Sequence, residues 1–307
     1  MDWRTPTLAD LPALQKCAIG NEFFANNYGA VNSILYQKKF RSQIAIDGDW
    51  VFEKFIDGGK TFFSFPHNST GDPSDAKSAV ALLAKEAELS GQPLAFEEVT
   101  SQEKDILLEM FPSATCTAMP ESGDYIYKTE KLASLSGKKY SKKRNHLHQF
   151  QKKYADFSFE PLHSNNLASA REIEEKWLEE NAAAALASGT LSDLEAEKEI
   201  IFSALDNFEA CAQSCGMTGG ILFVSGTPAA FCVASILSQS VTDIHFEKCI
   251  SAFGRDGGYA VINNEFAKTV PTEFINREED LGIEGLRKAK LSYYPEFVLE
   301  KYAVCVP

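Results

Sequence analysis

The sequence predicts an α/β (α+β) protein of two similar units in tandem, each a mixed, mostly antiparallel sheet flanked by helices. Three observations predict it. At roughly 150 residues per domain, a 307-residue chain divides into two. Hydrophobic residues make up 44% and charged residues 24%, the balance of an ordinary folded chain rather than a disordered or fibrous one. Both halves also show the same order of signals: helices, meander strands, a helix, a strand, a helix, a strand. The expected units are 1–135 and 136–307, with a basic connecting helix at 138–154.

In the first half, 8–19 reads as a short helix with Asp10 near its start. Two strands, 42–46 and 50–55, flank the turn Asp47-Gly48-Asp49, a hairpin signal. A third strand at 61–65 stops at Pro66. Asp72-Pro73-Ser74 opens a helix to about Ser90, with Ala76, Val80, Leu83 and Ala87 at helical spacing. Gly91-Gln92-Pro93 ends it. A strand at 94–97, a helix at 101–110 and a strand at 124–128 follow.

The composition then shifts. Residues 137–154 carry seven Lys and Arg and no acid, and the chain beyond them turns acidic. A helix at 167–187 carries five Glu. A second, at 192–215, has its acids near the start, where they suit the helix dipole. A meander follows: 218–224, the turn Ser225-Gly226-Thr227-Pro228, 229–237 and 242–252. Helix 257–269, strand 273–276, helix 281–290 and strand 298–306 complete the chain.

With 30 Lys and Arg against 43 Asp and Glu, the formal charge is −13. Such a chain repels bulk nucleic acid and anionic membranes unless a local basic patch overrides that. No apolar run approaches the roughly 18 residues of a spanning helix. The first residues are too acidic for a secretory signal, so a cytoplasmic protein is expected. The seven Cys are odd in number and scattered, which argues against a disulfide framework. Cys211 and Cys215 lie one helical turn apart, but no second Cys/His pair completes a zinc site, and no metal is expected. There is no Walker A loop, nucleophile elbow, HExxH or EF-hand loop.

Four constellations carry possible chemistry. In AFGRDGGYA, 252–260, Arg255, Gly258 and Ala260 fit the pattern R/Q-x-x-G-x-G/A. Between a strand and a helix, such a loop presents backbone N–H groups at a helix N-terminus, an anion site suited to a pyrophosphate; the plain alternative is a Gly-rich turn. In IHFEK, 244–248, alternation puts His245 and Glu247 on one face, a base and its orienter, or else a structural pair. In INREEDLGIEGLRKAKLSYYPE, 275–296, a strand end gathers Asn276, Arg277, Glu278, Glu279 and Asp280, where ligands meet side chains in α/β folds. Asp280 also reads as a helix N-cap, with Arg287, Lys288 and Lys290 suiting the C-terminal end. The fourth is the basic segment. Lys142, Lys143 and Arg144 suit a phosphate-bearing partner (tRNA, a nucleotide cofactor or a lipid headgroup), or a solvated helix beside acidic ones. His67 and His163 stand alone.

Together, DYIYKTEKLASLSGKKYSKKRNHLHQF, IHFEK, GGYAVINNEFAK and INREEDLGIEGLRKAKLSYYPE resemble the phosphatidylglycerol lysyltransferase C-terminal-domain family, over about 124–295. The resemblance implies a tandem GNAT (acyltransferase) fold related to Fem-type aminoacyltransferases. Membrane members of that family join this domain to a multi-helix integral domain and move lysine from a charged tRNA to a phospholipid; no such integral segment is expected here. It also implies a loop that binds donor phosphate through Arg255, Gly257, Gly258 and Ala260, with Lys142, Lys143 and Arg144 nearby. No cofactor is expected to be tightly bound; acyl-CoA or aminoacyl-tRNA is the expected co-substrate.

The expected activity is acyl or aminoacyl transfer to an amine or hydroxyl of a small molecule or peptide. Glu247 or His245 would deprotonate the acceptor. Glu279 and Asp280, with Arg277, would orient the acceptor, Arg287 and Lys290 would hold an anionic portion, and Tyr259 or Tyr293 would protonate the leaving group. Asn276, Arg277, Arg287, Lys290 and Tyr293 would hold the acceptor. The segment 138–153 is the candidate tRNA contact. The rival expectation is a catalytically degenerate fold that only binds a ligand, such as a nucleotide or peptide.

Overall fold

The computed structural model describes residues 1–72 and 75–307. The expected helix opening at Pro73 and Ser74 lies outside the described residues. The chain forms two compact units. The first comprises Met1–Ile126, Leu237–Val241 and Asn276–Pro307, and the second Tyr127–Ile236 and Thr242–Ile275. Residues 276–307, which the sequence groups with the second half, thus pack in the first unit.

The strands in chain order are β1 (Gln43–Asp47), β2 (Trp50–Asp57), β3 (Lys60–Phe63), β4 (His67–Asn68), β5 (Leu94–Thr100), β6 (Thr115–Ala118), β7 (Asp124–Lys128), β8 (Phe157–Pro161), β9 (Thr218–Val224), β10 (Thr227–Ile236), β11 (Val241–Cys249), β12 (Phe274–Asn276), β13 (Phe297–Leu299) and β14 (Lys301–Val306).

The first unit carries a sheet in the order β1-β2-β3-β5-β14-β6, with β4 also on β2. Its pairs are antiparallel except β3 with β5. The hairpin expected around Gly48 is present, with Asp47 opposite Trp50. The helix Ala76–Ser90 lays Ala76, Ala79, Val80, Leu83 and Ala87 on Phe52, Phe63, Phe96 and Val304. That face repeats every three or four residues, so one helical stripe covers one sheet face. The helix Ser101–Met110 starts on a capping box, Thr100 with Glu103. In the same unit β13 pairs with the first half of β7.

In the second unit the order is β7-β12-β11-β10-β9-β8. The β9–β10 turn is two residues, Ser225 and Gly226, both at positive φ, which matches the twist of a tight hairpin. Pro228 therefore belongs to β10 rather than to the turn. Helices Thr129–Ser134, Ser141–Lys153, Leu167–Ser188, Leu191–Asp206, Phe208–Cys215, Ser251–Gly254 and Gly258–Ala267 lie in this unit. Both units are thus mixed sheets flanked by helices, the fold class the sequence predicts.

Several boundaries differ from expectation. The helix read as 192–215 is two, broken at Asn207, whose side-chain amide bonds back to the Ser203 carbonyl at 2.8 Å. The basic helix runs Ser141–Lys153, after a 3-10 turn at Lys138–Tyr140 that follows Gly137 at φ +89°. Asp280 is no N-cap: the helix begins at Glu284, and Glu278 and Leu281 at positive φ hold a loop before it. The terminal strand breaks at Glu300. Among the described residues no helix is long and apolar enough to cross a membrane.

Candidate functional site

Strand β11 carries the first group, in the second unit. Its register against β10 jumps: Val233 faces Phe246, and the next residue, Ala234, faces Ile244. His245 is the extra residue of a β-bulge, a device that re-aims side chains and interrupts simple alternation. The expected shared face of His245 and Glu247 is therefore not set by strand period. The His245 side chain is fully buried. Its Nε2 lies 2.8 Å from the Ser235 hydroxyl and its Nδ1 3.5 Å from an Asp243 carboxylate oxygen.

Glu247 stays half-buried on the same strand. Burial, the Glu247 charge and the Glu180 charge all push the Cys249 thiol up. Burial likewise raises the Tyr259 phenol, and Glu247 adds to it. The Trp177 indole N–H donates to the Tyr259 oxygen at 3.1 Å. Glu247, Glu180, Cys249 and Tyr259 thus share one electrostatic neighbourhood. Lys248 is engaged separately. It donates to Glu197 at 2.8 Å and sits 3.6 Å from the Trp177 ring centre.

Beyond β11 the chain turns through a short helix, Ser251–Gly254, into the helix Gly258–Ala267, the strand–loop–helix setting an anion loop requires. Several loop N–H groups are already engaged. Ser251 donates to the Glu180 carboxylate at 2.7 Å, Asp256 to the Phe253 carbonyl at 3.1 Å, and Gly257 to the Gly254 carbonyl at 3.2 Å. Both glycines are also demanded by packing. Gly257 sits at φ +104°, and a Cβ there would lie 2.9 Å from the His146 carbonyl oxygen. A Cβ on Gly258 would lie 2.7 Å from the Cys249 sulfur. Ala260 is buried and Arg255 faces solvent, whereas Tyr259 keeps 37% of its area exposed with its hydroxyl against Trp177.

The structure brings the basic helix to this loop. Lys153 Nζ and the Tyr154 hydroxyl both donate to one Asp256 oxygen at 2.6 Å. Lys142 is exposed and Lys143 half-buried. Arg144 turns inward and donates to the Leu135 and Gly137 carbonyls, at 2.5 and 2.7 Å. It fixes the turn before the helix.

The NREED segment belongs to the first unit, where it is built into a polar core. Lys301 is fully buried, with its ammonium 2.6 Å from Asn26 Oδ1, 3.1 Å from Asp124 and 3.5 Å from Glu98. Asn26 also donates to Glu279 at 3.0 Å. Asn276 donates to the Phe24 carbonyl and to Asp124, while its own oxygen accepts the Glu278 N–H. Burial pushes the Asp124 and Glu98 carboxyls up, against the pull of Lys301. Asp280 accepts two bonds from Arg287, at 2.8 and 2.9 Å, and one from Tyr125 at 2.6 Å. Arg287 first, then Tyr125 and the Gly282 N–H, hold that carboxyl below its usual range. Lys290 donates to the Arg277 and Glu279 carbonyls, and Arg277 lies 5.0 Å from the ring centre of buried Tyr293. These side chains hold one loop in one shape.

Sequence reasoning did not single out Trp177, Glu180, Glu174 or Lys301. Glu174 and Trp177 are three apart on one helix face that also presents Ala170 and Ile173. That stripe was the available signal, hidden in a run of surface glutamates.

A family described as phosphatidylglycerol lysyltransferase, C-terminal, matches residues 33–305. A conserved protein of unknown function from Bacteroides thetaiotaomicron VPI-5482 is 32% identical, with both chains fully covered and a TM-score of 0.90. L-PGS from Bacillus licheniformis shares the fold at 13% identity and a TM-score of 0.67, over 99% of this chain and 93% of that one. An uncharacterized protein of Mycoplasmoides gallisepticum is 26% identical over 186 residues, which is 60% of this chain and 56% of that protein's length.

Proposed function

Because this chain belongs to the phosphatidylglycerol lysyltransferase C-terminal family, we propose that its second unit transfers an acyl group from a phosphate-bearing donor to an amine or hydroxyl. The observation that carries the reading is the half-buried Glu247 carboxylate, sharing its surroundings with the Tyr259 phenol at the start of the Gly258–Ala267 helix. The donor's phosphates lie toward exposed Arg255 and Lys142. The Gly258 N–H faces the oxyanion, because the Gly257 N–H is engaged.

The acceptor nitrogen or oxygen attacks the donor carbonyl and passes its proton to Glu247, directly or through a water. The bond from carbonyl carbon to the leaving sulfur or oxygen then breaks. Glu247 releases the acceptor's proton to solvent, while Tyr259 gives its phenol proton to the leaving atom and is reprotonated from solvent. Burial raises its phenol, so it holds that proton at neutral pH. Cys249 is raised in the same way and stays a thiol rather than a nucleophile. His245, bonded to Ser235, is assigned to holding the bulge. In the first unit, Asp280, Arg287 and Lys290 are assigned to positioning the 276–283 loop.

Acyl-CoA is the donor this reading favours, in keeping with the overall charge of −13. Aminoacyl-tRNA is the second reading. It rests on exposed Lys138, Lys139, Lys142 and Lys152 along one basic stretch. A thermal-shift panel of acyl-CoAs, nucleotides and aminoacyl-adenylate mimics separates them. The donor class that binds raises the melting point by several degrees at concentrations well above its dissociation constant, and Arg255→Ala removes the shift. A panel in which no phosphate-bearing molecule shifts the protein overturns the proposal.

A further inference from the structure

The first unit holds a small cleft that the proposed transfer does not use. Its volume is about 30 Å³, and its walls include Phe23, Tyr28, Glu53, Phe65 and His67. Two of these side chains are fixed from behind. His67 pairs with Glu103 at 3.1 Å, and the Tyr28 hydroxyl donates to the other Glu103 oxygen at 2.8 Å. Glu103 in turn accepts the Thr100 N–H at 2.7 Å. The Phe23 and Tyr28 ring centres are 4.7 Å apart, and both meet His67 edge-on, at 4.4 and 4.5 Å. The walls are therefore preformed.

Glu53 differs. It sits on β2, and its bond is from the Ser33 hydroxyl at a long 3.4 Å. Burial is the main influence on its carboxyl, pushing it up to about 7, and no cation figures among the causes. A carboxyl held this way binds best to something that brings a positive charge. Cys17, also in the wall, is raised to about 12 by burial and offers no thiolate. Glu53 and the Ser33 and Ser64 hydroxyls in the same walls fall short of the roughly six to eight oxygens a hard metal ion such as calcium takes. The aromatic walls do suit an organic cation, whose charge is attracted to ring faces and whose stem is apolar. The space holds only a few water-sized groups.

We propose that this cleft binds the head of a primary alkylammonium, from a free amine or the amino end of a larger molecule, with Glu53 as its counter-ion. The proposal is independent of the transfer reaction, because its readout is binding alone.

The test is a ¹H–¹⁵N NMR titration of the full chain with methylammonium chloride, n-butylammonium chloride, lysinamide and methanol, with sodium chloride as the salt control. Methylammonium is expected to saturate shifts around Tyr28, Ser33 and Glu53, whereas methanol and sodium chloride do not. Glu53→Gln is expected to weaken it roughly tenfold or more, the usual effect of losing a charged hydrogen-bond partner. Lysinamide binding no tighter than n-butylammonium marks a free amine as the source; lysinamide binding tighter marks the amino end of a larger molecule. Methanol saturating the same shifts as methylammonium overturns the proposal, as does unchanged affinity in Glu53→Gln. Should that variant not fold, the contrast of methylammonium with methanol in the unaltered protein decides the matter.

Discussion

Glu174 offers a stability test whose sign and size follow from its surroundings. Its side chain is fully buried on the helix Leu167–Ser188, and burial pushes its carboxyl up to about 7. Lys248 and Lys198 act to lower it and Glu197 to raise it, but burial dominates. In the unfolded chain the group titrates in the ordinary range near 4.5. Between those two values the folded state keeps a proton that the unfolded state has released. Stability therefore falls as pH rises through this window, and the penalty is complete above about pH 7. A shift of that size is worth about 3 kcal/mol. Gln keeps the shape and cannot ionise. The stability of Glu174→Gln relative to wild type is expected to improve by about 2 to 3 kcal/mol between pH 5 and pH 8. The assay is urea unfolding across that range, followed by Trp177 fluorescence with Trp3 and Trp50 replaced by Phe. Glu53 and Glu97, also raised to about 7, act alike in both proteins and cancel. Parallel profiles, with a gap that does not change with pH, would refute the reasoning.

Other outcomes follow from the same geometry. Lys301→Met leaves Asp124 buried without its ammonium and should cost the first unit about 3 to 5 kcal/mol in urea unfolding; adding Asp124→Asn should restore part of that. Asp280 behaves oppositely to Glu174. Its folded value is depressed, so its contribution is present above the ordinary carboxyl range and lost as pH falls. An acid titration of Asp280→Asn should therefore converge on wild type at low pH and diverge at neutral pH. Gly257→Ala forces a side chain at φ +104° against the His146 carbonyl and should lower stability by about 1 to 3 kcal/mol, seen as a lower melting temperature.

The regular parts of the fold were legible in the sequence because they rest on local pattern. The helix Ser101–Met110 and the strand Asp124–Lys128 stand where expected, each bounded by its own capping or turn residues. The missed strand Thr115–Ala118 is exposed along its whole length, so it has no apolar alternation to read. The Asp280 misreading has a clear origin. An acid before a helix usually caps it, but here the guanidinium of Arg287, within the following helix, and the distant Tyr125 hydroxyl take the carboxylate. The bulge at His245 is likewise invisible to a two-residue period. Glu53 in WVFEKF resembles an ordinary outward-facing residue, and His67 appeared isolated. Their neighbours Ser33 and Glu103 lie 20 and 36 positions away in the chain. Lys301 in LEKYAV looks like any edge lysine until Asn26, Glu98 and Asp124 converge on it.

The central claim is that Glu247 takes the acceptor's proton during acyl transfer. The most direct measurement is single-turnover release of the leaving group from whichever donor the thermal-shift panel identifies, with an amine acceptor in excess, in wild type and in Glu247→Gln. The account predicts turnover in wild type and a loss of about 10² to 10⁴ in the variant, with the donor-induced shift in melting temperature preserved. Equal turnover in both proteins, or none in wild type with any donor, would contradict it.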